Sequence, residues 1–232
     1  MAEGKKEQVR SMFNKIAWRY DLLNHLLSLN IDKIWRKKLV RMLAVKKPVS
    51  ILDVATGTGD LAITASRINP KEIIGIDIAD EMLQIGRKKV SAKGLQDMIT
   101  LQTADSESIP FPTGRFDAAM VAFGVRNFEN LDLGLSEMFR VLKKDGIVYV
   151  LEFSIPTNKL FRPFYFFYFK NILPLIGKMV SRDTAAYTYL PDSVSAFPSG
   201  PAFIERLEKT GFTKCTLRSL TLGIATIYTG EK

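Results

Sequence analysis

The sequence is short of the residues that build metal sites and covalent staples. Among 232 residues there is one cysteine, Cys215, and one histidine, His25. A lone thiol excludes an internal disulfide, and one His with one Cys cannot supply the ligand set of a zinc site. No metal is therefore expected, and Cys215, in a β-type run near the C-terminus, reads as a packing residue. Long apolar runs are also missing. The most apolar stretch, 161–180, carries Arg162, Lys170 and Lys178 and is interrupted by Pro163 and Pro174, which argues against a membrane-spanning helix. Residues 1–12 are polar and of mixed charge with no apolar stretch behind them, so no signal peptide is expected and a cytoplasmic location is. Internal repeats and low-complexity tracts are absent.

Acid is scarce in two places. Residues 1–47 hold twelve Lys/Arg against four Asp/Glu, and residues 155–182 hold five Lys/Arg and no acid. The whole chain carries +9, so the remainder is net negative and the basic character is local. Both basic segments are rich in Phe, Tyr, Leu and Trp. That mixture suits an anionic membrane surface or an apolar substrate, and equally an ordinary solvated helix face. No RNA-binding signature accompanies it, and no nucleic-acid partner is expected.

What is present is a strand–helix alternation. Val9, Met12, Phe13, Ile16 and Tyr20 recur at helical spacing, the pattern continues through 22–29, and 34–43 form another helix before Pro48. The spacing thus predicts a helical cap over 1–47. From residue 48 onward, short buried strands are predicted at 50–54, 72–77, 99–103, 116–122 and 146–153, with helices near 60–68, 80–93 and 131–142. Alternation at this pace implies α/β architecture: a doubly wound, mostly parallel sheet with helices on both faces and right-handed crossovers. Residues 155–198 read as a helical and aromatic lid, irregular and punctuated by prolines, inserted on the ligand side of the sheet. A helix at 200–210 and an antiparallel hairpin over 214–220 and 223–228 would complete a seven-stranded sheet.

The strongest local signal is ILDVATGTGDLA, residues 51–62. Gly57 and Gly59 let the chain turn tightly between strand and helix and let backbone approach a ligand closely. Alone, this spacing also serves nicotinamide enzymes. The acids around it narrow the reading. Asp53 precedes the loop, where it would repel an incoming pyrophosphate but would suit a ligand with a cationic ammonium end. Asp77 ends the second strand and can accept from ribose hydroxyls. Asp105, followed by Ser106, comes after the third strand, where it can accept from an adenine amino group. Each acid alone could be a helix cap or a solvated loop residue; three of them with the glycine loop are hard to assign to capping.

With these motifs in view, the chain resembles the quinone C-methyltransferases of the UbiE/MenG family over nearly its whole length, from about residue 8. The resemblance is carried by YDLLNHLLSLNIDKIW (20–35), LDVATGTGD (52–60), ESIPFPTGRFD (107–117), FGVRNF (123–128), RVLKKDGIVYVLEFS (140–154) and YTYLPDSVSAFP (187–198). It implies a Rossmann-like class I methyltransferase that uses S-adenosyl-L-methionine. The expected reaction is C-methylation of a prenylated hydroquinone, with demethylmenaquinol as the expected acceptor. A ubiquinone-pathway benzoquinol, an RNA or another small molecule are the alternatives. It also implies that Thr58, Asp77, Asp105 and Ser106 contact the cofactor, with Ile78 and Ala122 beside them. Three departures stand out: Asp32 where the family usually has His, Ala122 where it commonly has Ser, and Lys143-Lys144-Asp145-Gly146 where it usually has Lys-Pro-Gly-Gly. The first argues against an essential role for the usual histidine, and the second removes one cofactor contact.

For the acceptor side, Arg126 and Asn127 follow the fourth strand. Arg126 is expected to favour the ionised phenol by its charge and to hold a water that takes the proton, since a guanidinium cannot itself act as base. The competing reading pairs Arg126 with Glu152 for structure. Asn127 would position a ring oxygen. His25 is a secondary base candidate, and Tyr187 and Tyr189 in the lid are candidates for contacting the quinol. The expected partners are a prenylated quinol, an anionic membrane surface touched by the segment 155–182 and the N-terminal helices, and a second copy in a homodimer.

Overall fold

The computed structural model describes residues 4–156, 158, 160, 162–167, 171 and 185–232. Two helices, α1 (Lys5–Leu27) and α2 (Ile31–Ala44), precede the sheet. The next elements are β1 (Ser50–Val54), α3 (Asp60–Ala65), β2 (Glu72–Asp77), α4 (Asp80–Ala92), β3 (Ile99–Thr103), β4 (Phe116–Ala122), α5 (Leu131–Val141) and β5 (Leu142–Phe153). Helices α6 (Arg162–Phe167), α7 (Ala185–Ala196) and α8 (Pro201–Thr210) come before the closing strands β6 (Thr213–Leu220) and β7 (Ala225–Glu231).

The sheet order is β3-β2-β1-β4-β5-β7-β6. β3 through β5 are parallel, β7 runs antiparallel to β5, and β6 pairs antiparallel with β7. This is the expected seven-stranded, doubly wound sheet closed by a hairpin. The chain leaves β1 toward β2 on one side and returns through β4 on the other. The carboxyl ends of β1 and β4 therefore lie side by side where the winding reverses, the place such sheets bind ligands.

The pleat sends alternate residues to opposite faces. Along β1, Ile51 enters the core beneath α2, α3 and α4, while Leu52 and Val54 enter the core beneath α5 and α8. Along β4, Ala118 and Met120 face the first core, and Ala119 and Val121 the second. Small residues here let the helices sit close to the central strands. The cap is part of this core rather than an appendage: Trp35, Leu39 and Leu43 of α2 are buried against the sheet. Each such fully buried side chain stabilises the fold by about 1.5–3 kcal/mol.

One boundary differs from expectation. β5 begins at Leu142, opposite Phe116, and a register shift separates that pair from Ala118–Ile147. The extra residues are Lys143–Gly146, where Asp145 has φ +62°. The described part of the lid is helical, as expected, and its prolines do not prevent this. Pro163 occupies the first turn of α6, where no amide donor is needed. Pro191 lies inside α7, which persists because Val194 and the following Phe197 are buried. Of the apolar run 161–170, residues 161 and 168–170 lie outside the described residues, as does the greater part of the segment 155–182.

Candidate functional site

Three strands deliver three acids to one edge. Asp53 sits within β1 and is 1% exposed. Its Oδ2 accepts hydrogen bonds from Thr56 Oγ1 at 2.6 Å and from the Ala62 amide at 3.1 Å. Its Oδ1 is buried and has no protein partner. Burial pushes this carboxyl up to about 7, against the pull of its hydrogen bonds and of Arg36. A buried acceptor left open, with a pKa raised to neutrality, is what a site awaiting a cation looks like.

Beyond Asp53 the chain enters the glycine loop. Ala55 has φ +51°, and Gly57 and Gly59 have φ +55° and +77°, a left-handed path that opens α3 at Asp60. The Gly57 amide donates to Asp77 Oδ2 at 2.8 Å, and the Ala79 amide donates to Asp77 Oδ1 at 2.9 Å. Asp77 is thus fixed by backbone amides at the wall of the site. Burial raises its pKa as well. Asp105 accepts from the Glu107 amide through Oδ1 and from Lys6 Nζ through Oδ2, at 2.9 and 2.7 Å.

On the opposite side of the switch, β4 ends in Ala122, Phe123 and Gly124. Phe123 has φ +60°, strained for an aromatic residue, and its ring stacks on Phe153 with centroids 4.5 Å apart. A Cβ at Gly124 would lie 2.6 Å from Ala55 Cβ, so this glycine is what allows the two strand ends to approach.

These elements enclose two adjoining chambers. The first has about 670 Å³ of open space and carries Asp77, Ile78, Asp105 and Ser106 on its sheet side. Its other wall is α1, through Lys6, Val9, Phe13 and Tyr20. The second, about 330 Å³, carries Asp53, Thr58, Arg36 and Asp60. Gly57, Ala122, Ala55 and Tyr20 line both, so the chambers meet at the switch point. Gly59 lines neither chamber and serves the turn. Thr58 lines the second, with its hydroxyl donating to Asp21 Oδ1 at 2.6 Å.

The remaining candidates separate. Arg126 makes a buried ion pair with Glu152, Nη1 to Oε1 at 2.8 Å, and donates to the Phe123 carbonyl. The structural pairing is therefore present, and Glu152 offsets the cation that was expected to act alone. Asn127 lines the first chamber, and its Oδ1 accepts from Tyr189 Oη at 2.9 Å, which joins α7 to the site. Burial raises the Tyr189 phenol despite Arg126, so it stays a donor. Tyr187 lies on α7, but its side chain is outside the described residues. His25 lines neither chamber. Its Nδ1 is 2.9 Å from Asp32 and its Nε2 is 3.6 Å from Asp60. Asp32 also accepts from Ser28 and pairs with Arg36. Burial pushes the Asp32 carboxyl up, but Ser28, Arg36 and His25 together hold it below the usual carboxylate range. No cluster of metal-ligating side chains occurs among the described residues.

Sequence reasoning missed Arg36, Lys6 and Tyr20 as lining residues. Tyr20 was visible as a helical periodicity and as the start of the 20–35 motif, but nothing in the linear pattern distinguishes a helix face that packs on protein from one that closes a cavity.

A sequence profile described as the ubiE/COQ5 methyltransferase family matches residues 1–232. A demethylmenaquinone methyltransferase of Bacteroides fragilis is 46% identical over 232 residues, covering 99% of this chain and 95% of that protein. The ubiquinone/menaquinone biosynthesis C-methyltransferase UbiE of Geobacter sulfurreducens is 46% identical over 230 residues, covering 98% and 90%. Among solved structures, the [4+2]-cyclase SpnF superposes with a TM-score of 0.70 at 18% identity, covering 100% of this chain and 97% of that one. A putative S-adenosyl-L-methionine-dependent methyltransferase of Methanococcus maripaludis gives 0.62 at 16% identity, covering 100% and 95%. Both structural likenesses speak for the fold, and a cyclase among them illustrates that fold alone does not fix chemistry.

Proposed function

The chain belongs to the ubiE/COQ5 methyltransferase family, and on that premise we propose that it methylates a ring carbon of a prenylated hydroquinone, converting demethylmenaquinol to menaquinol with S-adenosylmethionine as methyl donor. The observation that carries the donor assignment is the open Oδ1 of Asp53 at one end of the joined chambers, with Asp77 and Asp105 at the other. A cationic amino-acid end at Asp53, a ribose at Asp77 and an adenine at Asp105 match that order of acceptors.

When bound, S-adenosylmethionine supplies an electrophilic methyl group on a sulfonium. The protein's task is then alignment and enrichment of the acceptor ring. Well-oriented pairs reach effective molarities of about 10⁵ M or more, so positioning alone is a large part of the rate. Asn127, held by Tyr189, is assigned to the ring oxygen beside the carbon that reacts. A phenol titrates near ~10, so a positive potential nearby favours the nucleophilic phenolate. Arg126 supplies that potential in moderated form, because Glu152 shares it. His25 is not retained as a base, since it is held by Asp32 away from both chambers.

The acceptor is a lipid, and we place its uptake at the inner face of a membrane. No helix among the described residues is long and apolar enough to cross one. Exposed apolar side chains do cluster about the α1–α2 turn: Trp18, Leu22, Leu29 and Ile34, with Trp18 69% exposed and Arg19 stacked over its ring. Their setting in the basic segment 1–47 supports contact with anionic lipid.

The deciding experiment is incubation with labelled S-adenosylmethionine and a panel of demethylated naphthoquinols and benzoquinols, followed by mass analysis. Label in a naphthoquinol ring carbon is expected. Label only in benzoquinols moves the enzyme to the ubiquinone branch, and no label in either overturns the reading. Flotation with anionic vesicles tests the lipid contact, and absence of salt-sensitive association removes it.

A further inference from the structure

The second chamber contains a buried cation that the acceptors described so far leave without a task. Arg36, on α2, has a side chain 7% exposed, and it lines this chamber together with Asp53. Its guanidinium pairs with Asp32 through Nη1 and comes within 3.7 Å of Asp60 Oδ2 through the same nitrogen. Among the described residues, neither its Nε nor its Nη2 donates a hydrogen bond. The guanidinium carbon also stands 5.7 Å from the Phe123 ring centroid, at the wall between the chambers.

If Arg36 served only to neutralise Asp32, an apolar pair of similar volume would be at least as stable, because desolvating two charges offsets most of their attraction. Asp32 is moreover already served by Ser28 and His25. What distinguishes Arg36 is its position. It shares one small chamber with Asp53 Oδ1, which among the described residues is the one buried side-chain oxygen at these strand ends that lacks a partner. Its charge is felt both by Asp53 and by Tyr20, which stands at the junction. The chamber thus offers one open anionic acceptor and one fork of cationic donors, the complement of a zwitterion.

We propose that Arg36 binds the α-carboxylate of the methyl donor's amino-acid end while Asp53 takes its ammonium group. This rests on the reading of the chambers as a site for S-adenosylmethionine and adds the residue that recognises the carboxylate. Asp32 and His25 act one step back, as positioning residues that hold the guanidinium at the chamber wall. The orientation matters for transfer, because a donor pinned at both charges of its amino-acid end cannot rotate its sulfonium freely.

The test is calorimetric and needs no turnover. S-adenosylhomocysteine, its decarboxylated analogue and 5′-methylthioadenosine are titrated into the wild type and into Arg36→Gln. A charge-assisted contact to one carboxylate corresponds to about a 10- to 100-fold affinity gap between the first two ligands in the wild type. That gap should collapse to within about threefold in Arg36→Gln, with 5′-methylthioadenosine bound equally by both proteins. Equal binding of the first two ligands by the wild type overturns the proposal without recourse to any variant, so a folding defect in Arg36→Gln cannot shelter it. A gap that survives in Arg36→Gln, or an equal loss of all three ligands, also overturns it. Failure of the wild type to bind S-adenosylhomocysteine at all would instead overturn the donor assignment itself.

Discussion

Tyr189 Oη donates to Asn127 Oδ1 at 2.9 Å across 62 residues of sequence. It ties helix α7 to the short turn after β4 and orients an amide that would otherwise be held only by its 3.4 Å donation to the Phe123 carbonyl. Tyr189 lines neither chamber and Asn127 lines the first, and the amide that the bond orients is the one assigned to the acceptor's ring oxygen.

Tyr189→Phe should therefore lower the methyl-transfer rate by about five- to tenfold, the equivalent of one neutral hydrogen bond. Affinity for S-adenosylhomocysteine should stay within about twofold of wild type. A calorimetric titration beside a steady-state assay separates these. An affinity loss that matches the rate loss would mean that α7 supports the donor chamber instead.

Asp53 predicts a pH signature. Its pKa in the empty protein is pushed up to about 7 by burial, whereas a cationic ligand needs it ionised. Below pH 7 the proton must leave before the ammonium can pair. Donor affinity should thus rise roughly tenfold per unit at acidic pH and flatten above about 7. Asp53→Asn should abolish the slope. The same raised pKa means that the folded, empty protein holds this proton more tightly than the unfolded chain. Its contribution to stability therefore declines as pH climbs from the ordinary Asp range through about 7, and thermal melts with and without donor would display the difference.

Arg126 and Glu152 should behave as a unit. Their side chains are 6% and 0% exposed, so removing either leaves an uncompensated buried group. Arg126→Met or Glu152→Gln alone should cost on the order of 3–5 kcal/mol in urea unfolding, and the double substitution clearly less than the sum. Strict additivity would contradict a coupled pair. Rate measurements on the double variant then isolate what the guanidinium does for the phenol.

Gly124→Ala would set a methyl group 2.6 Å from Ala55 Cβ. The overpacking should destabilise by about 1–3 kcal/mol and part the two strand ends, weakening donor binding. Ala55→Gly removes the methyl it strikes and relieves a left-handed φ of +51° at the same time. The double variant should recover most of the donor affinity, as read by thermal shift. Failure to recover would mean that the clash is relieved elsewhere.

Much of the architecture was legible in the linear pattern. The runs at 50–54, 72–77, 99–103 and 116–122 coincide with β1 to β4: β1 and β4 are buried on both faces and read as short apolar runs, while β3, with one face exposed, reads as an alternation. The lid was less legible. Pro191 signalled a break that burial of Val194 and Phe197 overrides, and burial is a property of neighbours that the local sequence does not contain.

The sequence by itself determined the parallel sheet, the glycine turn and the three acids that end successive strands, since these depend on local period and on residue chemistry at fixed spacing. Only the tertiary structure decided how those acids divide their labour. Asp77 is fixed by two amides, Asp105 meets Lys6 from α1, and Asp53 keeps one oxygen open. It also decided that Arg126 is paired and that Arg36 stands beside Asp53. Such facts follow from where separate helices settle on the sheet, and side chains remote in sequence acquire partners, and hence charge and pKa, only once that packing is complete.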